Sequence, residues 1–361
     1  MLRRKAFIIN PAVPNPLEIR PESLRHLAFV DGLRALAVLS VLFYHAAIDG
    51  PNPPSWANIG SRGVDLFFVI SGFCLTYPFL RLDMSVHPPT MTIAIFSRFM
   101  LRRFSRIAPT YWVALSMFAL LSFSKFGFPE SRDIDTSHVG QEYVTSFLFL
   151  TSKWPIFNPS FWTLGIEMRW YFLCPLLISI FFKSKVFFGV IAAILYGVYF
   201  FTPYGVADAG TLPCFMLGIL AADLIHRRHW SCEWAIFPTL ILFAIGSAWQ
   251  IRGGSMDLSD PIWHVASFFF ILSASCGLMR KIVSWKPLVQ VGTASYSIYL
   301  VHGPFLKYFI LSGIDRAFAA IISLGIGIVF YLTVERLLSN KYFRKSLEDR
   351  FSLPLFRVRK V

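Results

Sequence analysis

The sequence predicts an all-α polytopic membrane helical bundle of about ten transmembrane helices, with both termini on the cytoplasmic side. Three observations carry that expectation. The 361 residues are 55% hydrophobic and 15% charged, against roughly a quarter charged in a soluble globular chain. Ten segments approach the length of about 20 apolar residues that a helix needs to cross a bilayer. The basic residues fall between those segments in alternation rather than evenly.

In chain order, the candidate spans centre on 30–48, 63–80, 108–124, 168–182, 186–203, 211–226, 234–250, 262–279, 295–313 and 316–335. Residues 1–26 are basic and proline-broken, without an apolar run of signal-peptide length, and read as a cytoplasmic arm before a membrane domain over 27–336. The fourth span is short, and "YVTSFLFL" (143–150), in the outside loop 125–167, suits a re-entrant or interfacial piece. Residues 337–361 read as a basic cytoplasmic tail. With the N-terminus inside, 26 of the 34 lysines and arginines lie on cytoplasmic segments, seven lie outside, and Lys307 falls within a helix. The net charge of +14 is therefore mostly a topology signal, not the footprint of a nucleic-acid partner. These features predict a multi-pass protein of the plasma (inner) membrane.

Cys74, Cys174, Cys214, Cys232 and Cys276 are scattered singly, with no CxxC or Cys/His cluster. Neither a disulfide framework nor a metal site is expected. No GxSxG elbow, Walker-type loop or HExxH occurs, which argues against a serine hydrolase, an NTPase and a zincin.

The first span, "FVDGLRALAVLSVLFYHA" (29–46), keeps Asp31, Arg34 and His45 where charge is costly. The step from Arg34 to His45 is about three turns plus 20°, so both side chains share one face, about 16 Å apart along the axis. Asp31, three residues before Arg34, is placed to hold its guanidinium. Each has a plain reading, a helix-end anchor and a buried, satisfied histidine. One stripe presenting both predicts a polar cavity running from the cytoplasmic face towards the far side. Ser, Cys and Lys are absent from that stripe, which makes His45 the first candidate for a catalytic base, a role that needs a neutral imidazole.

Further along, Phe96, Phe99, Met100, Phe104 and Ile107 recur at helical spacing, with Arg98, Arg102, Arg103 and Arg106 between them. The pattern predicts an interfacial helix over 93–107 with an arginine face. Lipid headgroups account for such a face; so does a phosphorylated ligand gripped by arginine forks. Asp65 stands at the outer end of span two, placed to cap it, and Ser71 and Gly72 suit close helix approach. Glu167 begins the fourth span near Arg169 and Tyr171, placed either to orient His45, to bind a hydroxyl, or to pair with Arg169. Trp162, Trp170 and Tyr171 suit an aromatic belt or a platform for a sugar ring. Tyr296, Tyr299 and His302 lie along the ninth span, lining a tunnel or satisfying one another, and Gly303 and Pro304 suggest a kink there. Asp223 and Glu335 are expected to pair with local arginines.

Five stretches in this order resemble the acyltransferase-3 family of integral-membrane acyltransferases: "DGLRALAVLSVLFYH" with its Arg-x10-His spacing, "GVDLFFVISGFCLT", "RRFSRIAPTYW", "PSFWTLGIEMRWYFLCPL" and "ASYSIYLVHGP". The resemblance covers roughly residues 25–340. It implies transfer of an acyl group, commonly acetyl, from cytoplasmic acyl-CoA to a hydroxyl on an extracytoplasmic or lipid-linked glycan. It implies catalysis by His45 with Glu167, and acyl-CoA binding by Arg34, Arg102, Arg103, Arg106, Tyr299 and His302, since CoA carries a pyrophosphate and a 3′-phosphate. Asp65, Trp162 and Tyr171 would meet the acceptor. A secondary transporter of a glycan precursor or small acid is the alternative; buried charge and Gly/Pro-broken helices suit it, but inverted repeats and duplicated charged motifs are missing from the sequence.

Overall fold

A computed structural model describes residues 27–49, 53–80, 93–122, 138–150, 155–202, 207–227 and 232–339. The arm over 1–26, the stretch 81–92, most of the loop after 122 and the tail from 340 lie outside the described residues, as does the side chain of Arg98.

Among the described residues the secondary structure is helical throughout. The α-helices are α1 (Ala28–Ile48), α2 (Gly63–Leu80), α3 (Ile93–Ser122), α4 (Val139–Phe147), α5 (Trp162–Lys183), α6 (Lys185–Phe201), α7 (Ala207–Arg227), α8 (Ile236–Ile251), α9 (Met256–Ala274), α10 (Gly277–Val283), α11 (Lys286–Thr293), α12 (Ser295–Leu311), α13 (Arg316–Phe330) and α14 (Arg336–Leu338). Seven helical segments are long and apolar enough to cross a membrane, and an eighth if α9 and α10, bent by 95° between them, make one span. The expected count of ten spans is therefore not reached: each predicted segment overlaps a helix, but α6 and α12 are only 17 residues each.

Without a hydrophobic drive between helices in lipid, close approach through small residues does much of the packing. Gly72 of α2 and Gly218 of α7 supply it. A Cβ on Gly72 would overlap the Phe215 carbonyl, and one on Gly218 would overlap the Val69 carbonyl. Gly218→Val is therefore expected to destabilise the bundle by about 1–3 kcal/mol through overpacking. A lower unfolding midpoint in detergent reads it, and an unchanged midpoint would mean the two helices separate freely. Two further glycines seat the Arg34 end of α1: Cβ atoms on Gly32 and Gly292 would overlap the carbonyls of Val283 and Asp31.

The structure changes two expectations, the interfacial helix and the unpaired cysteines, and refines two others. Residues 93–107 are not a separate interfacial helix, because α3 runs unbroken through Pro109 for 30 residues. A proline removes one backbone donor, and neighbouring helices in a bundle can absorb that loss. The "YVTSFLFL" segment is the end of the short α4, stopped by Phe149 at φ 60°. It is held on α3 by bonds of 2.9 Å from Tyr111 Oη to the Ser146 carbonyl and from Trp112 Nε1 to the Phe147 carbonyl. Cys232 and Cys276 form a disulfide with Cα atoms 6.2 Å apart. The pair is 44 residues apart in sequence and meets because α8 packs along α9. The expected kink at Gly303–Pro304 leaves α12 continuous. Asp223 pairs as expected with Arg227 at 2.7 Å, and also with Lys185 at 2.8 Å.

Candidate active site

The five stretches that stood apart in the sequence converge on one cavity of about 130 Å³ between α1, α2, α3, α5, α11 and α12. Its charged lining is Arg34, Arg103, Arg106, Glu167 and Glu335. Arg34 is held in place by Asp31 Oδ1 at 3.2 Å, as its spacing predicts, and its other terminal nitrogen lies 3.5 Å from Cys74 Sγ. Because α1 is a single helix, the stripe that starts at Arg34 continues to His45.

Glu167 sits among these arginines. Its Oε1 accepts from Ser71 Oγ at 2.7 Å and from the Tyr171 hydroxyl one turn on. Glu335 closes a π-helical turn over Tyr331–Glu335 and accepts from Ser297 Oγ at 2.6 Å. Such turns add a residue to a helix and recur at functional sites. With Asp31 against Arg34, three arginines and three carboxylates gather here, and Arg103 and Arg106 stand together as the guanidinium pair that an anionic ligand would meet.

The inner end of the cavity is formed by Phe67, Thr163 and Tyr299. Tyr299 Oη shares a 2.7 Å hydrogen bond with Thr163 Oγ1, and Phe67 packs edge-on against the tyrosine ring at 5.8 Å. Beyond it stands His302, its ring centroid 5.6 Å from that of Tyr299, and then His45, 5.1 Å from His302. His45 is partly exposed and is not among the described residues that line the cavity. The cavity thus holds Arg103, Arg106, Arg34 and Tyr299, and ring contacts through the buried His302 link Tyr299 to His45 outside it.

Other predicted site residues are placed differently. Arg102 lies outside the lining, whereas Arg103 and the exposed Arg106, three apart, are the two of the motif that line the cavity. Trp162 packs against the core, also outside the lining, whereas Tyr171 is in it. Asp65 joins a buried outer cluster instead. Its carboxylate pairs with Arg62 at 3.4 Å and lies 3.6 Å from His264 Nε2. Arg62 also meets Asp260 and Ser259, and Tyr196 Oη lies 2.7 Å from His264 Nδ1. Asp65, Cys214 and His264 bring possible metal-ligand atoms within 4.8 Å of one another, a grouping that their separation in sequence hides.

Sequence reasoning missed Glu335, Ser71 and Thr163. Glu335 is expected beside local arginines and turns inward through the π-helical turn, a local geometry that periodicity does not carry. Ser71 is read as a packing residue and acts as a hydrogen-bond donor to Glu167.

A family model for the acyltransferase domain matches residues 27–335. The chain belongs to this acyltransferase domain family. It is 28% identical over 337 residues to the peptidoglycan O-acetyltransferase OatA of Listeria monocytogenes, covering 79% of this chain and 50% of that protein. It is 27% identical over 332 residues to the putative peptidoglycan O-acetyltransferase YrhL of Bacillus subtilis, covering 78% and 48%. A match of 28% over 333 residues joins it to O-acetyltransferase OatA of Staphylococcus aureus, covering 79% and 51%. The chain thus spans about half the length of these relatives. No solved structure matches it. Within the acyltransferase domain family match fall the whole cavity, His302 and His45.

Proposed function

We propose that this chain is a multi-pass membrane O-acetyltransferase that moves an acetyl group from acetyl-CoA to a hydroxyl of peptidoglycan or a related glycan across the membrane. The observation that carries the reading is the cavity that gathers Arg34, Arg103 and Arg106 among apolar helices and leads through Tyr299 towards His45. The names of the relatives support acetyl as the group and peptidoglycan as the acceptor.

In this mechanism the CoA phosphates dock on Arg103 and Arg106, where guanidinium forks suit them, with Arg102 at the rim. The pantetheine arm passes Arg34, and the thioester arrives at Tyr299, whose hydroxyl gives up Thr163. The acceptor hydroxyl comes from the other side and loses its proton to His45. The new C–O bond forms as the C–S bond breaks, and the CoA thiolate recovers the proton. Glu167 and Glu335 brace the cavity wall through Ser71, Tyr171 and Ser297.

Charge supports this orientation: in the ten-span reading 26 of 34 basic residues fall on one set of connections, the bias expected of the cytoplasmic side, and the arginine mouth is on that side. The Cys232–Cys276 disulfide at that end pulls the other way, because cytosolic thiols are kept reduced. A bias spread over the whole chain outweighs one pair. The test is transfer of label from [¹⁴C]acetyl-CoA to solubilised peptidoglycan strands by the purified full chain. Base-labile label on the glycan is expected; binding of the strands without transfer would favour the transporter.

A further inference from the structure

His302 is fully buried in α12. Its Nδ1 lies 2.8 Å from the Tyr299 carbonyl oxygen, which only accepts, so in the neutral ring Nδ1 carries the proton and donates it there. Nε2 is then a bare acceptor, and among the described residues it has no hydrogen-bond partner. A buried polar atom left in this state calls for a reason. The ring next to it is His45, at 5.1 Å between centroids and tilted by 59°. The two rings make no hydrogen bond as they stand, but at this separation a turn of the His45 ring brings a nitrogen of one imidazole within reach of a nitrogen of the other. His302 is also absent from the residues that line the arginine cavity, although Tyr299 is among them.

We propose that His302 Nε2 accepts a hydrogen bond from the inner N–H of His45 and thereby fixes which nitrogen of His45 is free to take the acceptor's proton. This rests on the reading of His45 as the base. The bond chemistry is unchanged by it. The acceptor's proton goes to the outer nitrogen of His45, the oxygen attacks the thioester carbonyl, and the thiolate leaves with that proton. His302 gains and loses none. It holds the tautomer and steadies the imidazolium, a positioning role like that of the carboxylate behind a catalytic histidine. It departs from a role in holding the donor, because His302 is absent from the lining of the arginine cavity.

Full-length wild type, His302→Ala, His302→Gln and His45→Ala, purified in detergent, would be compared with [¹⁴C]acetyl-CoA and peptidoglycan strands. His302→Ala is expected to lower kcat about 100-fold with KM for acetyl-CoA within about twofold. His302→Gln, whose amide oxygen stands where Nε2 was, is expected to recover about tenfold of that loss. If alanine fails to fold, His302→Leu fills the volume and serves in its place. Unchanged kcat, a loss confined to KM, or no recovery with glutamine in a folded chain would overturn the proposal. If His45→Ala is inactive while His302→Ala is normal, this inference alone fails. If His45→Ala turns over like wild type, the reading of His45 itself fails.

Discussion

His45→Ala is expected to lower acetyl transfer by about 10²–10⁴-fold, the range that a positioned general base contributes. His45 lies at the far end of a single helix whose other end holds Arg34 in the cavity. Its ring contacts are Tyr44 at 5.0 Å and His302 at 5.1 Å. It is partly exposed, so alanine leaves a gap at an edge rather than a hole in the packed core, and the bundle should hold its unfolding midpoint. The cavity residues Arg103 and Arg106 are untouched, so KM for acetyl-CoA should stay near wild type while kcat falls, the pattern of an interaction made in the transition state. A parallel rise in KM would instead place His45 in donor binding.

Arg103→Gln with Arg106→Gln should give the opposite split. Each guanidinium removed takes away charge-assisted hydrogen bonds to phosphate, worth about tenfold to a hundredfold in donor affinity. KM for acetyl-CoA should rise by that factor for each residue while kcat at saturation changes little. Wild-type KM should also climb with ionic strength, and the double variant should lose most of that salt dependence. Arg102→Gln is the comparison within the same motif. Arg102 is outside the cavity lining, so its effect should be smaller. Equal effects from all three would mean that the whole arginine face, rather than the cavity, holds the donor.

Much of this site is legible in the sequence because it depends on short-range geometry. Helical spacing alone puts Arg34 and His45 on one face and Asp31 beside Arg34, and the continuous α1 keeps both relations. The arginine motif is legible for the same reason, although which of its members turn inward depends on how α3 meets α5 and α12. The contacts that stayed hidden cross between distant segments. Ser71 of α2 reaches Glu167 of α5 over 96 residues, Cys232 meets Cys276 where α8 packs along α9, and Asp65 of α2 meets His264 of α9. Glu335 was hidden by a π-helical turn that shifts the phase of the last helix. The length of α3 was hidden because its first half carries the arginine face and only its second half is apolar enough to read as a span.

The claim that most depends on all of this is directional: the donor enters at the arginine mouth and the acceptor arrives at the His45 end. Sealed liposomes carrying the full chain in one orientation, with [¹⁴C]acetyl-CoA on the face of Arg103 and peptidoglycan strands confined to the opposite face, measure it directly. Ester-linked label on the strands, with none when the donor is moved to the face of His45, is the predicted result. Transfer only when donor and strands share a face would contradict it.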